Sequence, residues 1–431
     1  MIIADTKLEE RQKAGNPIKA GFVGAGMMSK AIVNLIAKQI PGIRVVAISN
    51  RTLSKAKEVF EFAGVKNIKH VESVSALNSI IERGGVAITE DYTLLCESDH
   101  IDVLMDITGI VEFGVELLET AFKNGKDILT FNAEVDSTLG PILSVHAERA
   151  GVVYSASDGD QPGVTMNLVR FVEGLGLTPR LAGNVKGLQD PYRNPTTQEE
   201  FAKYWGMGPE KATSFADGTK MNMEQACVAN STGFKVAKRG MLGYKFDGHV
   251  DDMTGMYDLE QLKELGGIID FALGAKPGPA VFVYGSIEDE LSKHHLDYYK
   301  LGKGPLYSFY TPYHLCIFAV PSSIARVVDL RDHVLKPKAG SVVEVISKAK
   351  TDLKAGSMLD GPGFYTLYGE CENHDVVQHE NLLPIGLTET GVKLKKNIQK
   401  DQALTFDDVE FDENRKIFKL YKEQLDHFRV P

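Results

Sequence analysis

Lys186, Asp217, Lys220 and Glu224 are the residue types needed to move a proton at a carbonyl group. An ammonium can stabilise an alkoxide or hand it a proton, and a nearby carboxylate can tune that ammonium. Lys186 stands in "LAGNVKGLQDPYRNP", on the same face of an expected strand as Asn184, with Asp190 and Arg193 in the loop beyond. The other three stand in "FADGTKMNMEQACVANSTG", with Asn222 and Asn230 close by. A helix from about Thr219 makes Lys220 and Glu224 i,i+4 neighbours. On an exposed face the same pair is a salt bridge of small worth. Asp217 and Glu224 are also the residues that could hold a divalent metal, Mn²⁺ or Mg²⁺. His314 in "PLYSFYTPYHL" reads as structural, and His294-His295 as part of an exposed helix. No Ser-His-Asp order with a nucleophile elbow is present.

A second group of residues says what those side chains would work beside. "GFVGAGMMS" sets Gly24, Gly26, Met27, Met28 and Ser29 in a GxGxx[G/S] phrase between an expected strand and an expected helix. The first glycine permits the turn and the second lets a pyrophosphate reach backbone N–H groups. Ser29 is small enough for close helix–strand packing. The next strand, "RVVAIS", ends in Asn50-Arg51-Thr52, where an NAD site usually offers Asp or Glu to the ribose. Arg51 instead offers a guanidinium fork suited to a 2′-phosphate, with Thr52, Ser54 and Lys55 beside it. The expected cofactor is therefore NADPH. "DITG", with Thr108 and Gly109, and "FNAEVD", with Asn132, end the next two strands and are expected to face the cofactor. Asp, Thr and Asn are also ordinary helix caps.

These motifs need a scaffold, and the chain supplies one. Between Ile18 and Tyr154, five short apolar runs alternate with amphipathic stretches, which predicts a Rossmann-type, doubly wound parallel sheet. Residues 71–97 are irregular and carry no assignment. An α+β catalytic segment is expected over 156–336, and a small β-rich module with a tail over 337–431, after a dinucleotide domain over 1–155. Two phrases of that module, "KTDLKAGSMLD" and "KKNIQKDQALTFDDV", echo each other weakly.

Composition narrows the class. With 48 Lys+Arg against 58 Asp+Glu the net charge is −10, which disfavours a nucleic-acid surface. The four cysteines are scattered, without the spacing of a zinc site or a disulfide framework. No signal peptide or membrane span is evident, so a cytoplasmic enzyme on a small-molecule substrate is expected.

"GFVGAGMMS", "GVVYSASDGDQPG", "NVKG", "DGTKMNMEQACVANSTG", "PYHL", "VVEVISKAKTDLKAGSML" and "NIQKDQALTFDDV" together resemble the homoserine-dehydrogenase-like oxidoreductases that end in an SAF domain. The branch resembled is the one containing 1-deoxy-D-xylulose 5-phosphate reductoisomerase-like enzymes. The resemblance spans almost the whole chain. It implies NADPH-dependent reduction of a small polyhydroxylated, phosphorylated carbonyl compound, with skeletal rearrangement before hydride transfer, and a homo-oligomer. Lys186, Asp217, Lys220 and Glu224 match the polar stretches of the family's central domain. The closely spaced acid cluster of standard reductoisomerases is absent, and "FNAEVD" lacks the Asn-Lys pair of homoserine dehydrogenase. Homoserine-type dehydrogenation and a non-catalytic NADP-binding sensor are the alternatives.

Overall fold

The computed structural model describes residues 3–429. The alternating pattern of the first third folds into a seven-stranded parallel sheet: β1 (Ile18–Val23), β2 (Ile43–Ser49), β3 (Ile68–His70), β4 (Val86–Thr89), β5 (Val103–Asp106), β6 (Asp127–Thr130) and β7 (Tyr154–Ala156), in the order β3-β4-β2-β1-β5-β6-β7. The central strands are buried along nearly their whole length because helices cover both faces. Residues 71–97, unassigned from sequence, supply helices Val74–Glu82 and Thr93–Glu97 and the four-residue β4 between them. Runs of three or four residues are too short to show a strand period.

Strand order reverses between β1 and β5, and that switch point opens a crevice at the carboxyl ends of the strands. In the register of this pair Val23 faces Asp106, so the turns that follow lie side by side.

A second, mixed sheet is built from β8 (Thr178–Lys186), β9 (Tyr244–Lys245), β10 (Ile268–Leu273), β11 (Val281–Ser286) and β12 (Tyr307–Thr311), in the order β12-β11-β8-β10-β9. Helices Gln161–Gly174 and Thr219–Thr232 pack on one face. Val250, Met253, Tyr257 and Leu262 close the other against Leu181, Val185 and Phe282. Helix Thr219–Thr232 is buried on almost every side and touches both sheets' helices as well as the C-terminal module. Such a helix has no solvent face to show, so its amphipathic signal is weak.

The C-terminal module pairs β13 (Val343–Ala349) with β14 (Leu367–Asn373) and β15 (Lys393–Leu394) with β16 (Val409–Glu410), all antiparallel. Its two echoing phrases run against each other, with Leu353 and Ile398 exchanging backbone hydrogen bonds of 2.8 and 2.9 Å.

Two elements cross the divisions expected at 155 and 336. Helix Val320–Leu330 packs under β1, β5 and β6 of the first sheet. Helix Lys416–His427 returns to lie on helices Ala133–Ala150 and Val111–Lys123. No helix among the described residues is long and apolar enough to cross a membrane.

Candidate active site

The crevice is built from backbone. Gly24 adopts φ +107°, and a Cβ there would come within 2.8 Å of the Ile107 carbonyl oxygen, so only glycine lets the two turns touch. Gly26 is the N-cap of helix Met27–Gln39, carries no capping side chain, and has open space where a Cβ would stand. The first N–H groups of that helix are thus left for an anion. Ser29 is buried, its hydroxyl donating to the Gly24 carbonyl at 2.6 Å, which pins the turn. Met27 is exposed and Met28 half-buried.

Beyond β2, Arg51, Thr52, Ser54 and Lys55 are all exposed. Asn50 turns its amide onto the Thr52 carbonyl at 2.9 Å and shapes this loop. A donor set with two cations and no carboxylate fits a 2′-phosphorylated dinucleotide, as does the uncapped helix start.

The side chains of Thr108 and Asn132, two residues of the loops expected to face the cofactor, hold those loops together. The Thr108 hydroxyl and N–H both donate to Asp106, at 2.6 and 3.0 Å. Asn132 is fully buried, accepts from the Val135 N–H and donates to the Ile110 carbonyl at 3.0 Å. Gly109, with φ +73°, leaves its backbone at the crevice.

Beside the crevice lies a cluster assembled from five separate segments. Glu134 comes from the first turn after β6, and Asp160 and Gln161 open the helix after β7. Lys186 ends β8, Lys220 and Glu224 lie one turn apart on helix Thr219–Thr232, and His314 and Cys316 come from the loop after β12. A Cβ at Gly159 would stand 2.4 Å from the Leu315 carbonyl oxygen, so glycine permits that loop to settle on the Asp160 turn.

Lys186 Nζ donates to Gln161 Oε1 at 2.9 Å and stands 3.8 Å from Glu224. Lys220 does not pair with Glu224 as helical spacing suggests; its partner is Glu134, at 3.2 Å. A buried helix satisfies its charges through tertiary neighbours, which spacing along the helix does not encode. Burial pushes the Glu224 carboxyl above the usual carboxylate range, and Asp160 and Glu134 add to this while the two lysines oppose it. For Lys220 burial alone would lower the pKa, but Glu134, Asp160 and Glu224 outweigh it and hold the ammonium protonated. His314 is lowered by burial and by Lys186, which favours the neutral imidazole. Cys316 Sγ lies 3.7 Å from Asp160, its thiol pushed up by burial and that carboxylate. Gln161 Nε2, Glu224 Oε2, His314 Nδ1 and both polar atoms of the Asn184 side chain are buried without a hydrogen-bond partner among the described residues.

Asp217 stands apart from this cluster. Its carboxylate forms a fully buried pair with Lys350 at 2.7 Å, and Lys350 also donates to the carbonyls of Arg193 and Phe364. The role expected for Asp217 in catalysis or metal binding is therefore corrected: it docks the C-terminal module. Asn222 and Asn230 serve the same joint, accepting from backbone N–H groups of Cys371, Val342 and Val343. Among the described residues no group of three or more His, Cys, Asp or Glu could hold a metal ion. Within the cluster, Glu134, Asp160 and Glu224 are interleaved with lysines and do not fit Mn²⁺ or Mg²⁺.

Glu134, Asp160, Gln161 and Cys316 were missed by sequence reasoning, and His314 was read as structural. The available signal was positional: "NAE" and "DGDQ" directly follow strands whose carboxyl ends line the crevice.

Residues 159–320 match the family model "Oxidoreductase DRL, catalytic domain", and residues 7–104 match that of shikimate/quinate 5-dehydrogenase. No curated protein matches the sequence. Among solved structures, similarity extends to a probable dehydrogenase from Thermotoga maritima (12% identity over 75% of this chain and 92% of that one, TM-score 0.40). It extends also to KijD10, a 3-ketoreductase from Actinomadura kijaniata in complex with TDP-benzene and NADP (13% identity, 74% and 91% covered, TM-score 0.35). A third is scyllo-inositol dehydrogenase from Lactobacillus casei with NAD(H) and scyllo-inositol (14% identity, 64% and 67% covered, TM-score 0.32). Residues 159–320 thus match an oxidoreductase catalytic domain, and in the fold they adjoin the crevice at the carboxyl ends of the first sheet.

Proposed function

We propose that the chain is an NADP(H)-linked reductase of a small hydroxylated carbonyl compound, with Lys186 as the proton donor to the carbonyl oxygen. The observation that carries this reading is the Lys186 ammonium held between Gln161 and Glu224 at the carboxyl edge of the first sheet. The nicotinamide, when bound, supplies the hydride. Lys186 stabilises the negative charge growing on the oxygen and passes it one proton. Glu224 in its protonated form then returns a proton to the lysine amine and becomes a carboxylate. A carboxyl raised by burial suits that relay, since an ordinary one holds too few protons near neutrality. Lys220, fixed by Glu134, keeps a permanent positive charge nearby and limits the cost of ionising Glu224. Gln161 Nε2, Asn184 and His314 Nδ1 remain to bond substrate hydroxyls. With Glu224 protonated, Glu134 and Asp160 balance Lys186 and Lys220, which leaves the cluster no surplus positive charge, so a substrate phosphate would sit outside it.

The narrower reading is rearrangement followed by reduction, as in the conversion of 1-deoxy-D-xylulose 5-phosphate to 2-C-methyl-D-erythritol 4-phosphate. The donor set of the cluster does not fit a divalent metal. The test is NADPH oxidation by the purified chain with 1-deoxy-D-xylulose 5-phosphate and with unrearranged hydroxy-carbonyl compounds, each with and without Mn²⁺. Turnover of the phosphate ester to the branched polyol supports the narrower reading, and turnover of the plain carbonyls alone supports the broader one. NADPH binding without turnover of any of these compounds keeps the oxidoreductase reading and moves the search to other carbonyl substrates. In whichever assay is active, Lys186→Ala should lower kcat by roughly 10²–10⁴-fold with NADPH affinity kept. Full activity in that variant removes Lys186 from the mechanism.

A further inference from the structure

The helix that follows β5, Val111–Lys123, does not present a free N-terminus to the crevice. Glu389, from the C-terminal module, accepts the Val111 N–H with both carboxylate oxygens, at 2.9 and 3.0 Å. A phosphate on this side of the crevice cannot use those N–H groups, and a carboxylate next to it is unfavourable. The wall therefore needs a cation from elsewhere.

Lys211 is in place. It stands in the first turn of helix Pro209–Ala216, is exposed, and reaches back to the turn after β5. Its Nζ lies 3.5 Å from where a Cβ at Gly109 would be. The neighbouring lysines are committed: Lys186 to Gln161 and Glu224, Lys220 to Glu134, Lys350 to Asp217. Lys211 has no carboxylate partner among the described residues. Its helix is held from behind, since a Cβ at Gly363 would lie 2.3 Å from the Glu210 carbonyl oxygen. The C-terminal module that closes one helix start with Glu389 thus also sets the reach of Lys211.

We propose that Lys211 binds the pyrophosphate of the cofactor, facing the uncapped start of helix Met27–Gln39 across the crevice. The inference rests on the NADP(H) reading above. It makes the cofactor a bridge between the dinucleotide sheet and the catalytic segment, so that binding fastens the two together.

The test uses the full chain and equilibrium binding rather than turnover. NADPH is titrated by its fluorescence, and adenosine 2′-monophosphate, which carries the 2′-phosphate but no pyrophosphate, is titrated by competition. Lys211→Ala should weaken NADPH roughly tenfold, the loss of one charge-assisted contact, and leave adenosine 2′-monophosphate unchanged. Lys211→Arg should restore most of the affinity, and the salt dependence of NADPH binding should be shallower in the alanine variant. Unchanged NADPH affinity in Lys211→Ala, or equal losses for both ligands, would overturn the inference alone. Failure of the unaltered chain to bind NADPH would overturn it together with the reading beneath it.

Discussion

The crevice and the lysine–carboxylate cluster lie side by side, yet they are made in opposite ways. The crevice is local: Gly24, Gly26 and Ser29 fall within six residues, and its chemistry is mostly backbone N–H groups and one helix start. The cluster is non-local, with Glu134, Gln161, Lys186, Glu224 and His314 each on a different segment. A backbone site tolerates many side chains provided the turn is kept. A side-chain site depends on every element that aims a residue into it.

Substitutions on either side test that contrast. The largest effect is expected in the cluster. Glu224→Gln should lower kcat by roughly 10²–10³-fold and remove a limb from the pH profile. The Glu224 carboxyl is raised by burial, and if it relays the proton as proposed, reduction in the unaltered protein should fall as pH rises through its pKa, and the glutamine variant should lack that fall. A profile of the same shape in both proteins would exclude Glu224 as the relay.

Next comes the joint behind the cluster. Lys350→Met leaves Asp217 buried without its partner and should cost about 3–5 kcal/mol in a denaturant titration. Adding Asp217→Asn should recover most of that loss, since neither side chain then carries a charge. If instead the single change were neutral in stability but abolished turnover, Asp217 would belong with the reacting groups.

In the crevice the effect should be selective rather than total. Arg51→Asp should weaken NADPH by roughly tenfold to a hundredfold and NADH little, measured by binding of each. Equal losses would mean that Arg51 does not meet the 2′-phosphate.

The smallest effect is expected at Glu389. Burial lifts its carboxyl to about 7 although the Val111 N–H pulls the other way. A pKa raised on folding contributes stability that is full below the ordinary carboxylate range and is lost as pH rises through about 7. Glu389→Gln should therefore gain on the unaltered protein between pH 5 and 8, by about 1–2 kcal/mol, in thermal melts at each pH. A constant difference across that range would show that the carboxyl does not titrate there.

The same contrast explains what could be read in advance. The parallel sheet, the glycine turn and the acid-free end of β2 were legible because each is written in a short run with its own period or spacing. Lys186 and Glu224 were legible as residue types, but their partners were not. Lys220 and Glu224 are one helical turn apart and still pair elsewhere, because helix Thr219–Thr232 is enclosed on all sides. Asp217 misled for the same reason, since its partner Lys350 lies far along the chain. β3 and β4 escaped notice because three- and four-residue strands carry too little pattern.

Helix Val320–Leu330 also bears on how the chain is made. Val320, Ile324, Ala325 and Val327 fill the layer beneath Phe22, Val103, Met105 and Leu129, which come from the first third of the sequence. On a ribosome that emits residues in order, helices Met27–Gln39 and Leu53–Phe62 can cover part of this face early, but the part beneath β1, β5 and β6 stays open until Val320–Leu330 has been synthesised. Completion of that core thus depends on a segment about 190 residues later than β6, and a nascent chain stalled before it leaves the apolar strip under β1, β5 and β6 unpaired.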